Sequence, residues 1–111
     1  MIEDDIFRWS VFDHYGNEIY LTQERWQHII DPINHPEMDD FEEQLRETIR
    51  NGRRQQDALN PRKYRYTKAF AGLVDDNTHV VSIVLFGYGV GVSGEPLPKI
   101  YIVTAYQKEI W

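Results

Sequence analysis

A histidine and an arginine stand three residues apart in a segment that the sequence predicts to be helical. Arg25 and His28 lie within residues 23–30, where Trp26 and Ile29 recur at helical spacing. Residues three apart are neighbours on a helix surface. An imidazole exchanges a proton near neutral pH, and an adjacent arginine can hold a phosphate beside it. The pair could therefore serve the cleavage of RNA; the alternative is that His28 caps a neighbouring element or faces water.

Cleavage of RNA without metal needs three kinds of group. One group takes the proton from the 2′-hydroxyl, a second stabilises the pentavalent phosphate, and a third protonates the leaving 5′-oxygen. Arg65, Thr104 and Tyr106 are the further candidates because they lie on segments with strand-like alternation. Strict alternation places both hydroxyls on the same side of the last strand as Ile102. The alternative role for them is to satisfy buried carbonyl groups.

Basic residues are concentrated in the middle of an otherwise acidic chain. The net charge is −6, yet eight of the twelve Lys and Arg residues lie between positions 46 and 68, where only two carboxylates oppose them. Cations that meet phosphates, next to rings on which unpaired bases stack, are typical of single-stranded RNA binding. The alternative is a solvated helix face followed by an edge strand protected by charge. The predicted RNA-binding residues are Arg53, Arg54, Arg62, Lys63, Lys68, Tyr64 and Tyr66.

Composition excludes several other classes of protein. The 111 residues, of which 41% are apolar, suffice for one domain spanning residues 1–111 with its own core. The absence of cysteine excludes disulfides and thiolate zinc sites. The motif His35-Pro36-Glu37 lies seven residues after His28, a spacing that matches no standard metal-ligand signature. We therefore expect neither a metal nor another cofactor.

No segment has the character of a membrane span. The longest apolar run, residues 80–86, is interrupted by Ser82 and is far shorter than the roughly 20 residues needed to cross a bilayer. The acidic start, residues 1–6, lacks the positive and apolar regions of a signal peptide. These features predict a cytoplasmic protein without membrane contact.

Periodicity predicts an α+β domain. The expected architecture is two N-terminal helices packed on an antiparallel sheet of about four strands, with an extra N-terminal β-hairpin. Thr22 is expected to cap the first helix, Asp39 or Asp40 to cap the second, and Gly52 to end it. Helical spacing places Met38, Phe41, Leu45 and Ile49 on one face of the second helix. Four glycines and two prolines predict that residues 87–98 form a long loop. The predicted strands are residues 6–13, 18–21, 62–71, 79–86 and 99–107, with residues 53–59 left as either an edge strand or a loop.

Three elements together resemble a known class of small proteins. Leu21-Thr22-Gln23-Glu24-Arg25-Trp26-Gln27-His28-Ile29, then His35-Pro36-Glu37, and finally Val103-Thr104-Ala105-Tyr106 are similar to elements of small prokaryotic and phage-associated proteins with the barnase–EndoU–colicin–RelE (BECR) nuclease fold. The similarity covers about residues 21–106. It implies RelE-like topology, metal-independent ribonuclease activity and, often, a toxin role. Residue by residue, it assigns the helix histidine to His28 and the last-strand hydroxyls to Thr104 and Tyr106.

The predicted function is accordingly a metal-independent endoribonuclease, the toxin of a toxin–antitoxin pair with RNA and a cognate antitoxin as partners. The alternative is a non-catalytic module of the same fold that binds RNA or protein. A third reading is a structural protein that forms a homodimer through an edge strand or the aromatic N-terminal hairpin.

Overall fold

The structure is a computed structural model that describes residues 7–111. Residues 1–6, on which the absence of a signal peptide was argued, lie outside the described residues. The elements in chain order are β1 (Phe7–Phe12), β2 (Glu18–Thr22), α1 (Gln23–Ile29), a 3-10 helix (Pro36–Asp40), α2 (Glu42–Asn51), β3 (Arg53–Gln56), β4 (Lys63–Ala69), β5 (His79–Val90) and β6 (Pro96–Lys108).

All six strands belong to one mixed sheet, in the order β1-β2-β6-β5-β4-β3. The general α+β class is confirmed, but the prediction of two helices on an antiparallel sheet of about four strands was wrong. The N-terminal hairpin is part of the sheet because β2 pairs parallel with β6 at Tyr20 and Tyr101. The ambiguous segment after α2 forms β3, which pairs antiparallel with β4. Sequence alternation describes each strand separately, whereas the choice of neighbour depends on which strand edges remain open.

The predicted loop at residues 87–98 is also mostly strand. β5 and β6 pair from His79 with Lys108 out to Val90 with Pro96, so the connection shrinks to residues 91–95. The two prolines, Pro96 and Pro98, fit because this part of β6 pairs with β5 on one side only among the described strands. A proline on an open edge removes no ladder hydrogen bond.

Helix α1 begins as predicted, at the Thr22 cap, whose hydroxyl accepts a hydrogen bond from the Arg25 amide at 3.1 Å. Helix α2 does not. Neither aspartate caps it, because residues 36–40 form the 3-10 helix and Phe41, without a side-chain cap, precedes α2. Gly52 ends α2 with an ordinary φ of −73°. A Cβ there would lie 2.2 Å from the Thr48 carbonyl oxygen, so close approach and not a left-handed turn requires glycine.

The two helices cover one face of the sheet, which we call the inner face. Trp26 and Ile29 of α1 and Leu45 and Ile49 of α2, the stripes predicted from helical spacing, are all buried at 1% exposure or less. They form one core cluster with strand residues of the inner face. These strand residues include Val11, Leu21, Tyr66, Val80, Val84, Ile102 and Ala105.

The β1–β2 turn reaches over the inner face and is fastened there. The hydroxyl of Tyr66, on β4, donates a 2.6 Å hydrogen bond to the carboxylate of Asp13 in this turn. β2 and β4 are three places apart in the sheet, about 14 Å in a flat sheet. The hydrogen bond therefore ties the turn to a strand three places away in the sheet.

No helix within residues 7–111 has the length and apolar character required to cross a lipid bilayer.

Candidate functional site

The opposite, outer face of the sheet collects Arg65, Thr104 and Tyr106. Arg65 on β4 is the direct partner of Ile83, which in turn faces Thr104 on β6. Val81, two residues earlier on β5, is the direct partner of Tyr106. Direct partners in neighbouring strands point to the same face. The structure therefore brings these three predicted site residues to one face.

A β-bulge determines on which face the two hydroxyls lie. The register shifts so that Ile83 pairs with Thr104 but Val84 pairs with Ile102, and Val103 is the extra residue. Ile102 before the bulge and Ala105 after it are both fully buried on the inner face. Thr104 and Tyr106 consequently lie opposite to Ile102, and the prediction from strict alternation was wrong. A bulge inserts one residue and reverses the alternation beyond it.

The outer face carries a basic groove at the end of the sheet where β5 begins. The groove has a volume of about 760 Å³, and its floor is strands β3 to β5 with the C-terminal residues 108–111 alongside. Arg53, Arg65, Lys68 and Lys108 line it, and Glu109 is the one carboxylate side chain among the described residues of the lining. Arg65 donates a 3.3 Å hydrogen bond to Gln55, and Arg53 and Lys108 have no side-chain partner within residues 7–111. Their charges are available to an anion.

An imidazole that sequence reasoning did not select, that of His79, also lines the basic groove. Its Nδ1 lies 2.6 Å from the hydroxyl of Thr78, which also accepts a hydrogen bond from the Ile110 amide at 2.9 Å. This contact orients the ring and leaves Nε2 for another partner. His79 is the direct cross-strand partner of Lys108. The only sequence signal was its place at the start of a strand, which gives no indication of the groove.

The predicted pair on α1 is not held in a catalytic arrangement by the described residues. The ring of His28 is exposed and forms no hydrogen bond, ion pair or ring contact with any residue in 7–111. Arg25 is half-buried and lines a second cavity, at the other end of the outer face. The imidazole that meets Tyr106 is that of His35, with ring centroids 5.4 Å apart.

His35 is fixed by the end of α1 and by the motif that contains it. Its amide donates to the Ile29 carbonyl at 2.8 Å, and the Asn34 side chain donates to the His28 carbonyl at 2.8 Å. The Nδ1 atom of His35 lies 3.8 Å from the Glu37 carboxylate. Pro36 and Glu37 belong to the 3-10 helix, and these contacts hold the start of that helix against the end of α1. Over residues 7–111, no three His, Asp or Glu side chains are grouped so that they could hold a metal ion.

The predicted RNA-binding residues divide between the two faces. Tyr66 is completely buried, and Tyr64 is half-buried against Phe86 with ring centroids 4.6 Å apart. Lys68 lies over the ring of Phe70 at 4.6 Å. Of the remaining residues, Arg54 lies on the inner face, whereas Arg53, Arg62 and Lys63 are on the outer side or at its rim.

Arg54 is the centre of an aromatic cluster on the inner face. Its guanidinium lies 3.9 Å from the ring centroid of Tyr15 and 4.7 Å from that of Tyr64. Burial and the hydrogen bond to Asp13 raise the pKa of Tyr66 far above its ordinary value, so its hydroxyl stays protonated as a donor. These contacts fasten the β1–β2 turn to the sheet.

The carboxylate of Asp13 is buried but fully hydrogen-bonded. Burial by itself would raise its pKa, but the Tyr66 hydroxyl, the Asn17 amide and side chain and the Tyr15 amide all donate to it, and together they lower the pKa below 3.8. A buried charge is tolerated when its hydrogen bonds are supplied in this way. Asp13 is therefore a structural anion.

Comparisons of the chain with protein-family models, with curated proteins and with solved structures find no match.

Proposed function

We propose that this protein binds single-stranded RNA along the outer face of its sheet and cleaves it without metal, as an endoribonuclease. The observation that carries the proposal is the basic groove, in which Arg53, Arg65 and Lys108 lie with the oriented imidazole of His79. Among the described lining residues, four cations against the one carboxylate side chain of Glu109 suit a chain of phosphates, even though the whole protein is acidic.

The proposed reaction is attack of the 2′-oxygen on the adjacent phosphorus. The 2′-hydroxyl proton passes to Nε2 of His79, the P–O5′ bond breaks, and the 5′-oxygen leaves as a hydroxyl. Lys108 and Arg65 stabilise the charge on the pentavalent phosphate. Tyr106 supplies the proton for the leaving oxygen. It is the diagonal neighbour of His79 on the adjacent strand, a relation in which the Cα atoms of two residues are about 7–8 Å apart. The products carry a 2′,3′-cyclic phosphate and a 5′-hydroxyl.

The activity is tested with the purified protein and a set of single-stranded RNAs in EDTA, with the product ends identified by mass spectrometry. We expect cyclic phosphate ends. His79→Ala should slow cleavage by about 10²- to 10⁴-fold, the usual contribution of a proton-transfer group. His14→Ala is the matched control, because His14 is exposed in the β1–β2 turn, outside the basic groove. Intact RNAs with wild-type protein would refute the enzyme proposal.

The sequence predicts proton transfer by His28 with Arg25 beside it, and the same assay distinguishes this assignment from the assignment to His79. Loss of cleavage in His28→Ala with full activity in His79→Ala would return the catalytic role to the helix. The toxin role is tested by induced expression in bacteria. We expect growth arrest that His79→Ala relieves and that a cognate antitoxin suppresses.

A second candidate is a non-catalytic RNA-binding module. It is favoured by Tyr106, the proposed acid, whose ring packs against His35 and does not line the basic groove that contains His79. This candidate predicts salt-sensitive RNA binding that survives both His28→Ala and His79→Ala, with no cleavage at any protein concentration.

A further inference from the structure

We propose that the cavity at the opposite end of the outer face binds one unpaired nucleobase of the RNA together with its phosphate. This aromatic cavity is lined by Phe7, Tyr20, Tyr101, Arg25 and Arg62, among others, and its volume is about 740 Å³. That volume falls within the roughly 300–1,000 Å³ typical of small-molecule sites. The inference rests on the proposed RNA binding and adds to it a place for a base.

Three rings of the aromatic cavity belong to the outer face and not to the core. Phe7 and Tyr20 stack with centroids 4.5 Å apart and planes 27° apart, and Phe7 remains 49% exposed. Tyr20 is the parallel-pair partner of Tyr101, which brings the third ring beside them. None of the three is part of the core cluster of the described residues. Rings that contribute little to the core and face an open cavity are suited to stack on an unpaired base.

Arginines complete the site. Both Arg25 and Arg62 line the aromatic cavity, and neither side chain forms an ion pair or hydrogen bond with another described residue. Lys99 adds a third cation to the lining, and Glu24 is the one carboxylate side chain that the described residues contribute to it. Arginine can hold a phosphate bidentately and stack on a base, while a carboxylate can accept from an exocyclic amino group. The lining thus offers rings and a carboxylate to the base and arginines to its phosphate.

Two glycines open the space. Gly87 and Gly89 alternate with inner-face Phe86 along β5, so both lie on the outer face and line the aromatic cavity. Because glycine has no side chain, neither residue fills the space there. A Cβ at Gly89 would come no closer than 3.8 Å to the Lys99 side chain, so a larger residue can be placed there without disturbing the backbone. A β-branched residue also suits a strand. Gly89→Val is therefore a way to fill the cavity while keeping the fold.

The two ends of the outer face are joined by strand β6. Tyr101 borders the aromatic cavity and Lys108 the basic groove. Seven residues of strand separate them, roughly 23 Å. A single RNA strand can follow this path, with one base in the aromatic cavity and its later phosphates in the basic groove.

The test measures binding of a fluorescent single-stranded RNA to wild type, Tyr101→Leu, Gly89→Val and the control Phe12→Leu. Phe12 is an exposed aromatic residue at the other end of β1 and does not line the cavity. We expect Tyr101→Leu and Gly89→Val each to weaken binding roughly tenfold, the contribution of one stacked base. Neither change alters charge, so the dependence on salt should stay the same. Phe12→Leu should bind as wild type does, and thermal unfolding checks that each variant is folded.

Free nucleoside 3′-monophosphates form the second arm of the experiment. Binding of a monophosphate that Gly89→Val abolishes, without binding of any RNA strand, would support the cavity as a nucleotide site and refute the RNA proposal. Wild-type RNA binding by both folded cavity variants, together with weakened binding by Arg53→Gln/Arg65→Gln, would overturn the cavity proposal and leave RNA binding intact. Absence of both kinds of binding in wild type would refute both proposals.

Discussion

Arginine and lysine side chains have different partners on the two sides of the sheet. On the helix side, Arg46 and Arg50 pair with Glu43 at 2.9 and 3.3 Å, and Arg8 donates to Glu42. On the outer face, Arg53 and Lys108 have no side-chain partner among residues 7–111. The pairs of Arg46 and Arg50 with Glu43 lie within α2, and the contact of Arg8 with Glu42 joins β1 to α2. The charges of Arg53 and Lys108 are therefore available to a ligand.

The contrast is sharpest between the neighbours Arg53 and Arg54. Successive side chains of a strand point to opposite faces, so one arginine enters the basic groove and the other the aromatic cluster. Residue type and local charge are the same for both. A charged stretch in the sequence therefore mixes structural and ligand-binding residues, and only the face of the strand separates them.

The largest effect should come from removing charge on one face at a time. We expect Arg53→Gln/Arg65→Gln to weaken RNA binding roughly 100-fold, about tenfold for each charge-assisted contact. The slope of log K against the logarithm of the salt concentration should become shallower by about 1.4, because each phosphate contact with a single strand contributes about 0.7 to that slope. Arg46→Gln/Arg50→Gln makes the same change in net charge and should bind RNA as wild type does. Equal losses in both variants, measured by anisotropy against salt, would show that net charge and not the outer face governs binding.

A smaller effect is expected at the buried anion of the inner face. Asp13→Asn should lower the free energy of unfolding by about 2 kcal/mol, because the Tyr66 hydroxyl and two amides lose a charged acceptor. RNA affinity at a temperature where the variant is folded should not change. Asp76→Asn, an exposed aspartate, is the control and should leave stability unchanged in urea titrations. If Asp76→Asn were as destabilising as Asp13→Asn, the structural role of Asp13 would be disproved.

The same carboxylate should make stability depend on pH. Its folded pKa is below the ordinary 3.8, so its contribution is fully present above pH 3.8 and is lost as the pH falls through the lower, folded-state value. The difference in stability between wild type and Asp13→Asn should therefore narrow below about pH 4. A constant difference between pH 7 and pH 2.5 in denaturant titrations would contradict this assignment.

The smallest effect is expected from separating the two neighbouring arginines. Arg54→Ala should lower stability by about 1 kcal/mol, through loss of its contacts with the rings of Tyr15 and Tyr64. Its RNA affinity should remain that of wild type. Arg53→Ala should do the reverse, with unchanged stability and RNA binding weakened by about tenfold. An RNA-binding defect in Arg54→Ala that equals that of Arg53→Ala would remove the distinction between the faces.

Local features of the sequence predicted the local features of the fold well. The Thr22 cap and the buried stripes of α1 and α2 follow from spacing over a few residues, and the structure confirms them. Failures arose wherever a distant strand or a neighbouring helix intervened. The 3-10 helix replaced the expected aspartate cap of α2, and pairing with β5 turned a glycine- and proline-rich segment into strand.

The candidate site shows the same division. Sequence alone singled out Arg65, Thr104 and Tyr106, because residue type and alternation are written in the chain. It could not place the bulge at Val103 that turns both hydroxyls to the outer face, since a bulge depends on the register with β5. Nor could it bring His79 to Arg65 and Lys108, which lie on three strands joined only by pairing. Composition and short-range spacing determined the α+β class and the helix stripes, whereas sheet order, register and the contents of each face were decided by contacts between residues far apart in the chain.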